Sequence, residues 1–121
     1  MPPTVADPPI QYEADGPAWS MNGLSLIIPC YNEEDAIGPT LRACETALAA
    51  IGLPYEIIVV DDGSTDATAM RVDPERYRLI HNDTNLGYGA SIKRAARAAR
   101  YDRLVIVDAD GTYPIDRLAD L

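Results

Sequence analysis

Apolar and polar positions alternate along the chain in a way that predicts strands and helices in turn. Four short segments have the pattern of buried strands: the apolar run 24–28, residues 56–60, which are rich in β-branched side chains, and residues 77–80 and 104–107. Apolar residues recur at helical spacing over 37–51 and again over 89–101, and Gly52 is a stop signal after the first of these segments. Strands that alternate with helices predict a layered α/β fold with a mainly parallel sheet.

Three local signals refine this pattern. Pro39 lies inside the first helical segment and predicts a bent or separate first turn. Ser64 or Thr65 is positioned to cap a short helix that extends to about Val72. Pro114 suits the first turn of a further helix.

The two ends of the chain differ from its middle. Residues 1–23 contain five of the ten prolines and three acidic residues but no basic residue. They predict a flexible Pro-rich leader, with Tyr12 and Trp19 as its candidate docking residues. We expect residues 24–121 to be the folded part. Because Leu121 falls within a predicted helix, we also expect the fold to continue beyond it.

Composition narrows the class of protein. The 121 residues carry 19 acidic and 10 basic side chains, a formal net charge of -9, and 47% of them are hydrophobic. This composition is that of a globular protein rather than a disordered one, and its charge argues against nucleic acid as a partner. No apolar run reaches a membrane span, and no basic residue precedes Arg42 to mark a secretory signal. Two cysteines are too few for a disulfide scaffold, so we expect a reduced, cytoplasmic location.

Acidic residues gather where the predicted strands end. Asp61 and Asp62 follow the second strand, and Asp108 and Asp110 follow the fourth. Ligands of an open parallel sheet bind beyond the carboxyl ends of its strands, so these loops predict a pocket for a divalent cation and a hydroxyl-rich ligand. Asp108 and Asp110 can aim at one ion, and hard carboxylate oxygens suit Mg²⁺ or Mn²⁺.

Each acidic pair also has a purely structural interpretation. Asp108 can cap its loop while Asp110 forms a turn with Gly111. The Asp-Gly-Ser sequence at Asp62 is likewise typical of a turn stabilised by side-chain to backbone bonds. In the functional interpretation, Asp61 and Asp62 accept hydrogen bonds from a base or from ribose hydroxyls. The residues by themselves leave both interpretations open.

Other motifs give weaker signals. The glycine-rich segment 85–91 resembles a dinucleotide-binding loop, but Ile92 stands where that motif has its third glycine. The helix that follows has a basic stripe made of Lys93, Arg94, Arg97 and Arg100. This stripe indicates a solvated face or, alternatively, a surface for phosphate or anionic lipid. His81 is predicted to form hydrogen bonds in a loop, and Cys44 to pack in the core; nothing near Cys30 suggests a nucleophile.

Four segments taken together resemble the start of a family 2 glycosyltransferase. They are LSLIIPCYNEEDAI (24–37), EIIVVDDGSTDAT (56–68), NLGYGASIKRAAR (85–97) and RLVIVDADGTYP (103–114), in this order and spacing. More narrowly, the chain is similar to the polyprenyl-phosphate branch, which is dolichyl-phosphate mannose synthase-like and in which the DADGTYP segment is common. The resemblance extends from about Leu24 to Pro114.

The resemblance implies a GT-A fold with a Rossmann-like, mainly parallel sheet. Residues 24–121 would be its N-terminal, nucleotide-sugar-binding part, with the C-terminal part missing. The implied activity is an inverting transfer of a sugar from a GDP- or UDP-linked donor to polyprenyl (dolichyl) phosphate, with the help of Mg²⁺ or Mn²⁺. The general base, the acceptor site and the membrane-associating elements are expected beyond Leu121, which places the full-length protein at the cytoplasmic face of a membrane.

The resemblance also implies roles for individual residues. The implied nucleotide-binding residues are Pro29, Tyr31, Glu33, Asp61, Asp62 and Asp108. The first three would line the nucleoside pocket, and Asp62, with Asp61, would hold the base or ribose. Asp108 and Asp110 would be the metal ligands, Asp110 binding the ion that bridges the diphosphate. Thr112 stands where some relatives have a Gln that helps to hold the metal.

A second interpretation belongs to a different class of protein. These residues would form a non-catalytic module that binds a nucleotide sugar and transfers nothing, because the implied base and acceptor site are not among them. A Rossmann dehydrogenase is a third interpretation, which Ile92 weakens.

Overall fold

The fold is built around a parallel sheet. The structure is a computed structural model that describes residues 20–112 and 114–120. Its elements in chain order are β1 (Ser20–Cys30), α1 (Ile37–Ile51), β2 (Tyr55–Asp61), a 3₁₀-helix (Ala69–Arg71), β3 (Arg78–His81), α2 (Tyr88–Ala98), β4 (Tyr101–Ile106) and a second 3₁₀-helix (Ile115–Asp120). The strands pair in parallel in the order β3-β2-β1-β4. The predicted α/β fold with a mainly parallel sheet is confirmed.

Each face of the sheet carries its own apolar layer, because successive residues of a strand point to opposite faces. On one face, Leu26 and Ile28 of β1 belong to a buried cluster with α1. The buried apolar side chains of α1 in that cluster are Ile37, Leu41, Cys44 and Leu48. On the other face, Ile27 clusters with Ile58 and Val60 of β2 and with Ala95 of α2. The described part of the chain contains no helix that is both long and apolar enough to cross a membrane.

The first helix forms as the spacing predicts. It begins at Ile37 and ends at Ile51, and Gly52 follows it in a left-handed conformation with φ 85°. Pro39 does not interrupt it, because a proline in the first turn lacks only an N–H that has no partner within the helix. Cys44 is buried in the core and, like Cys30, is a free thiol.

Three predicted boundaries are wrong. β1 begins at Ser20, where it pairs with Tyr101, rather than at about Leu24. Because Tyr101 starts β4, the helix before it ends at Ala98 and does not reach residue 101. The helix predicted up to Val72 is only one 3₁₀ turn without a side-chain cap. Residues 1–19, which hold most of the predicted leader, lie outside the described residues.

One buried carboxylate joins three elements at the end of the sheet remote from the acidic loops. Glu56 of β2 is fully buried and accepts hydrogen bonds from the Ser25 hydroxyl (2.6 Å) and the Arg78 guanidinium (3.0 Å). It also accepts one from the backbone N–H of Arg100, which directly precedes β4. Arg78 in turn donates to the carbonyl of Ala98 at the end of α2 (2.6 Å). Glu56 therefore links β1, β2, β3 and the α2–β4 connection.

The strand order positions the site. From β1 the chain moves to β2 and β3 on one side, and β4 then returns to the opposite side of β1. Where the order reverses in this way, the loops on the two sides separate and leave a crevice beyond the carboxyl ends of the strands. The loops that follow β1, β2, β3 and β4 lie around this crevice.

Candidate functional site

The loops after β1 and β2 are tied together by hydrogen bonds between backbone and side chains. The N–H of Asn32 donates to the Ser64 hydroxyl (2.8 Å), and the Asn32 side chain accepts from the N–H of Thr65 (2.8 Å). The N–H of Glu33 donates to the hydroxyl of buried Thr68 (2.8 Å). These hydrogen bonds therefore hold the loop after β1 against the loop after β2. Ser64 and Thr65 serve this purpose instead of capping a helix.

Asp61 is fully buried and is used within the protein. Its carboxylate accepts the N–H of Ser64 (3.1 Å) and pairs with the Nδ1 of His81 (2.9 Å). The prediction that His81 forms hydrogen bonds is confirmed, and its partner lies 20 residues earlier in the chain. Asp61 thus stabilises the turn after β2, as its structural interpretation requires.

Asp62 organises the loop before α2. Its carboxylate accepts the backbone N–H groups of Leu86 (2.7 Å) and Gly87 (3.0 Å) and the side-chain amide of Asn82 (2.9 Å). Burial alone would raise the pKa of Asp62, but these hydrogen bonds and one from Ser91 outweigh burial and lower the pKa below its ordinary value. The carboxylate is therefore ionised at neutral pH and held in one orientation.

The lowered pKa of Asp62 predicts an acid-sensitive contribution to stability. A carboxylate whose pKa is lower in the folded state stabilises the fold above its unfolded pKa of about 4, and this contribution is lost as pH falls through the folded pKa. We expect Asp62→Asn to lower the urea midpoint of unfolding at pH 7. The difference in midpoint between the variant and the original chain should become smaller as the pH falls to about 3. A difference that is the same at both pH values would contradict this assignment.

A cavity of about 240 Å³ opens beside Asp62. Its lining residues come from β1, from the end of β2 and from the segment around the start of α2: Pro29, Cys30, Tyr31, Asp62, Asn85, Gly87, Tyr88 and Ser91. Burial and the nearby carboxylates of Asp61 and Glu33 raise the pKa of the Cys30 thiol to about 12, so it is a neutral wall of the cavity and not a nucleophile.

The cavity contains only part of the predicted nucleotide-binding set. Pro29, Tyr31 and Asp62 line it, whereas Glu33, Asp61 and Asp108 are not among its lining residues. Sequence reasoning missed Asn85, Gly87, Tyr88 and Ser91. Their signal in the sequence is the glycine-rich segment 85–91, which also belongs to one of the four segments that resemble the family.

Asp108 and Asp110 lie beyond the end of β4, both exposed to solvent. The N–H (3.0 Å) and the hydroxyl (2.7 Å) of Thr112 both donate to the same oxygen, Oδ1, of Asp110. These two hydrogen bonds lower the pKa of Asp110. Thr112 therefore orients the Asp110 carboxylate in a turn, as the structural interpretation requires, and the role of Asp110 as a metal ligand stays a prediction.

The chemistry of these two residues fits a divalent ion whose remaining ligands come from elsewhere. Among the described residues, no group of three or more His, Cys, Asp or Glu side chains could hold a metal. Mg²⁺ and similar ions are commonly bound through one or two carboxylates together with substrate phosphates and water. Asp108 and Asp110 supply two such carboxylates, and an ion there would depend on the ligand for the rest of its shell.

One arginine of the predicted basic stripe belongs to the site's supporting structure. Arg94 donates to the carbonyl of His81 (3.1 Å) and to the side-chain oxygen of Asn82, which itself bonds to Asp62. Lys93 and Arg97 are exposed on the same helix. The stripe is therefore divided between a structural role and a solvated face.

The fold and these loops define the class of protein. Residues 25–121 match the family described as Glycosyl transferase family 2, and the chain belongs to this family. Its resemblance to the polyprenyl-phosphate branch is also confirmed, since similar proteins include the undecaprenyl-phosphate 4-deoxy-4-formamido-L-arabinose transferase of Pseudomonas fluorescens (strain Pf0-1). That protein is 35% identical over 105 residues, which are 81% of this chain and 31% of the relative.

Two further similarities bear on the fold and on the share of each relative that the chain covers. The succinoglycan biosynthesis protein ExoO of Rhizobium meliloti (strain 1021) is 40% identical over 99 residues, covering 78% of this chain and 27% of that protein. The crystal structure of glucosyl-3-phosphoglycerate synthase from Mycobacterium tuberculosis with Mn²⁺, UDP and phosphoglyceric acid matches with a TM-score of 0.62 and 28% identity, covering 73% of this chain and 33% of that one. The predicted GT-A fold is confirmed. The chain spans about a third or less of the length of these proteins.

Proposed function

We propose that this chain is the donor-binding part of a glycosyltransferase that moves a sugar from a nucleoside diphosphate to a polyprenyl phosphate. The observation that carries the proposal is the placement of the cavity and the Asp108–Asp110 pair at the same edge of one parallel sheet. A nucleoside needs an apolar pocket with a few oriented polar groups, and a diphosphate needs cationic charge next to it. The cavity meets the first need, and a divalent ion held by Asp108 and Asp110 would meet the second.

The roles of the chain's own residues follow from this arrangement. Tyr31, Pro29 and Asp62 hold the nucleoside in the cavity, and Asp62 also keeps the surrounding loop in place. Asp108 and Asp110 would hold the divalent ion, with Thr112 fixing the orientation of Asp110. When bound, the ion offsets the negative charge that develops on the departing diphosphate. Glu33 and Asp61 act from outside the cavity by supporting its loops.

The transfer that we propose is a single inverting displacement. An oxygen of the polyprenyl phosphate forms a bond to the anomeric carbon while the bond from that carbon to the diphosphate oxygen breaks. The nucleoside diphosphate departs with the electron pair. The solved synthase from Mycobacterium tuberculosis was crystallised with Mn²⁺ and UDP, which supports UDP over GDP and Mn²⁺ over Mg²⁺ as first candidates. The polyprenyl acceptor is supported by the similarity to an undecaprenyl-phosphate transferase. A location at the cytoplasmic face of a membrane stays a prediction.

A module that binds the nucleotide sugar without transferring it is the second candidate. These residues match 27% of one relative and 31% of the other, so the remaining length of each relative has no counterpart among them. Incubation of the chain with UDP-sugars, undecaprenyl phosphate and Mn²⁺ separates the two. Formation of the lipid-linked sugar would exclude the binding module.

Binding of the donor can be tested without turnover. We expect UDP to bind more tightly with Mn²⁺ than with EDTA, because the ion joins the diphosphate to the two carboxylates. Uridine, which has no phosphates, should bind equally in both conditions. Isothermal titration calorimetry with the two ligands measures the difference. UDP binding that does not respond to Mn²⁺ would contradict the metal assignment. Failure of uridine and UDP to bind would contradict the choice of a UDP-linked donor, and failure of GDP with Mn²⁺ as well would contradict the proposed function.

A further inference from the structure

The cavity beside Asp62 has an aromatic side chain from each of two separate elements. Tyr31 follows β1 and is 44% exposed, and Tyr88 is the first residue of α2 and is 59% exposed. Both line the cavity. A large aromatic side chain gains most by burial, so two that stay this exposed beside one cavity mark surfaces on which a ligand can pack.

The backbone around Tyr88 is held in place. Asp62 accepts the N–H groups of Leu86 and Gly87 immediately before it (2.7 and 3.0 Å). Gly87 has a φ of 101°, which a side chain would strain, and its carbonyl accepts the N–H of Ser91 (3.1 Å). The turn therefore fixes where Tyr88 leaves the chain.

The rest of the cavity favours a flat, uncharged ring. Pro29 and the neutral Cys30 thiol provide an apolar wall, since burial raises the pKa of Cys30 to about 12. The Asp62 carboxylate accepts hydrogen bonds from loop donors, and its negative charge disfavours an anionic group inside the cavity itself. Aromatic rings stack on nucleobases irrespective of the base, because each base has a π-face.

We propose that Tyr88 stacks on the nucleobase of the donor as a further binding residue of this site, forming with Tyr31 two aromatic walls for the base. Asp62 acts through it as a positioning residue by fixing the turn at Gly87. This inference rests on the proposed function, since it assigns the base of the same donor. It adds a residue from α2 to a pocket for which the sequence indicated residues in or after β1, β2 and β4.

The test compares three variants of the 121-residue chain. Tyr88→Ala removes the ring, Tyr88→Phe keeps the ring and removes the hydroxyl, and Leu86→Ala removes an exposed apolar side chain that does not line the cavity. Calorimetry measures uridine binding, and pyrophosphate with Mn²⁺ serves as a probe that has no ring. Circular dichroism shows whether each variant keeps its fold.

Loss of the ring should weaken uridine binding by about fivefold or more, the lower end of what stacking on one base contributes. Tyr88→Phe and Leu86→Ala should bind uridine within about twofold of the original chain, and Mn²⁺-pyrophosphate binding should be the same in all three. Uridine binding that is unchanged in a folded Tyr88→Ala variant would overturn the inference while leaving the proposed function intact. Failure of the original chain to bind uridine, UDP or GDP with Mn²⁺ would overturn both.

Discussion

Replacement of Asp108 and Asp110 together by asparagine should abolish the Mn²⁺-dependent part of UDP binding and leave uridine binding unchanged. The two carboxylates lie after β4, apart from the cavity, and are the chain's own candidates for ligands of the ion. Loss of an outer-shell partner of a metal ligand typically costs about 10–100-fold in metal affinity, so loss of both ligands should exceed that range. Calorimetry of UDP with Mn²⁺ and with EDTA measures the effect.

Two further variants make this result specific. Asp102→Asn removes an exposed carboxylate from the same strand, near its opposite end, and should leave the response to Mn²⁺ unchanged. Thr112→Val removes the hydroxyl that donates to Asp110 (2.7 Å) but keeps both carboxylates, so it should give an intermediate loss. A double asparagine variant in which Mn²⁺ still tightens UDP binding would show that the ion binds elsewhere.

The largest effect on stability is expected from Glu56→Ala. The fully buried carboxylate accepts from Ser25, Arg78 and the backbone of Arg100, and its removal leaves the partly buried Arg78 without its anion. Breaking a buried ion pair by removing one partner costs about 3–5 kcal/mol. A domain of this size has a free energy of unfolding of only about 5–15 kcal/mol, so the variant should lose a large part of its stability. Urea denaturation measures the free energy of unfolding.

The matched control for Glu56 is Glu75→Gln. Glu75 is an exposed residue of the same type, and the hydrogen bond recorded for it uses its backbone N–H, so its substitution should change the free energy of unfolding by no more than about 0.5 kcal/mol. Glu56→Gln keeps an acceptor for Ser25 and should fall between the two. A Glu56→Ala variant within 1 kcal/mol of the original chain, as a rough limit, would show that the ion pair and its hydrogen bonds contribute little.

Much of the fold was predictable because strand and helix signals are local. The apolar run 56–60 and the spacing of Ile37, Leu41 and Cys44 require no knowledge of distant residues, and the structure confirms the elements that they predict. The boundary at Tyr101 could not be found in this way. That residue continues the helical pattern in sequence, but it pairs with Ser20 of β1, and this contact exists only when the sheet has formed.

The candidate site divides along the same line. The four motifs identified the family and the sheet edge where its chemistry lies, and Pro29, Tyr31 and Asp62 do line the cavity there. Glu33 and Asp61 were predicted to bind nucleotide, and the structure places them outside the lining; their binding role stays a prediction. The partner of Asp61 is His81, 20 residues away, and nothing in the sequence around either residue indicates this pairing.

The sequence by itself determined the α/β class, the order of most elements, the family and the types of side chain available at the site. Hydrophobic periodicity and short motifs carry this information because they depend on neighbours along the chain. Only the tertiary structure decided which of the two carboxylates after β2 lines the cavity and which lies outside it. Asp61 and Asp62 are adjacent and chemically identical, yet one is buried against His81 and the other lines the cavity. The reason is physical. The hydrogen-bond donors that surround a carboxylate fix its orientation, and here those donors come from β3 and the turn before α2.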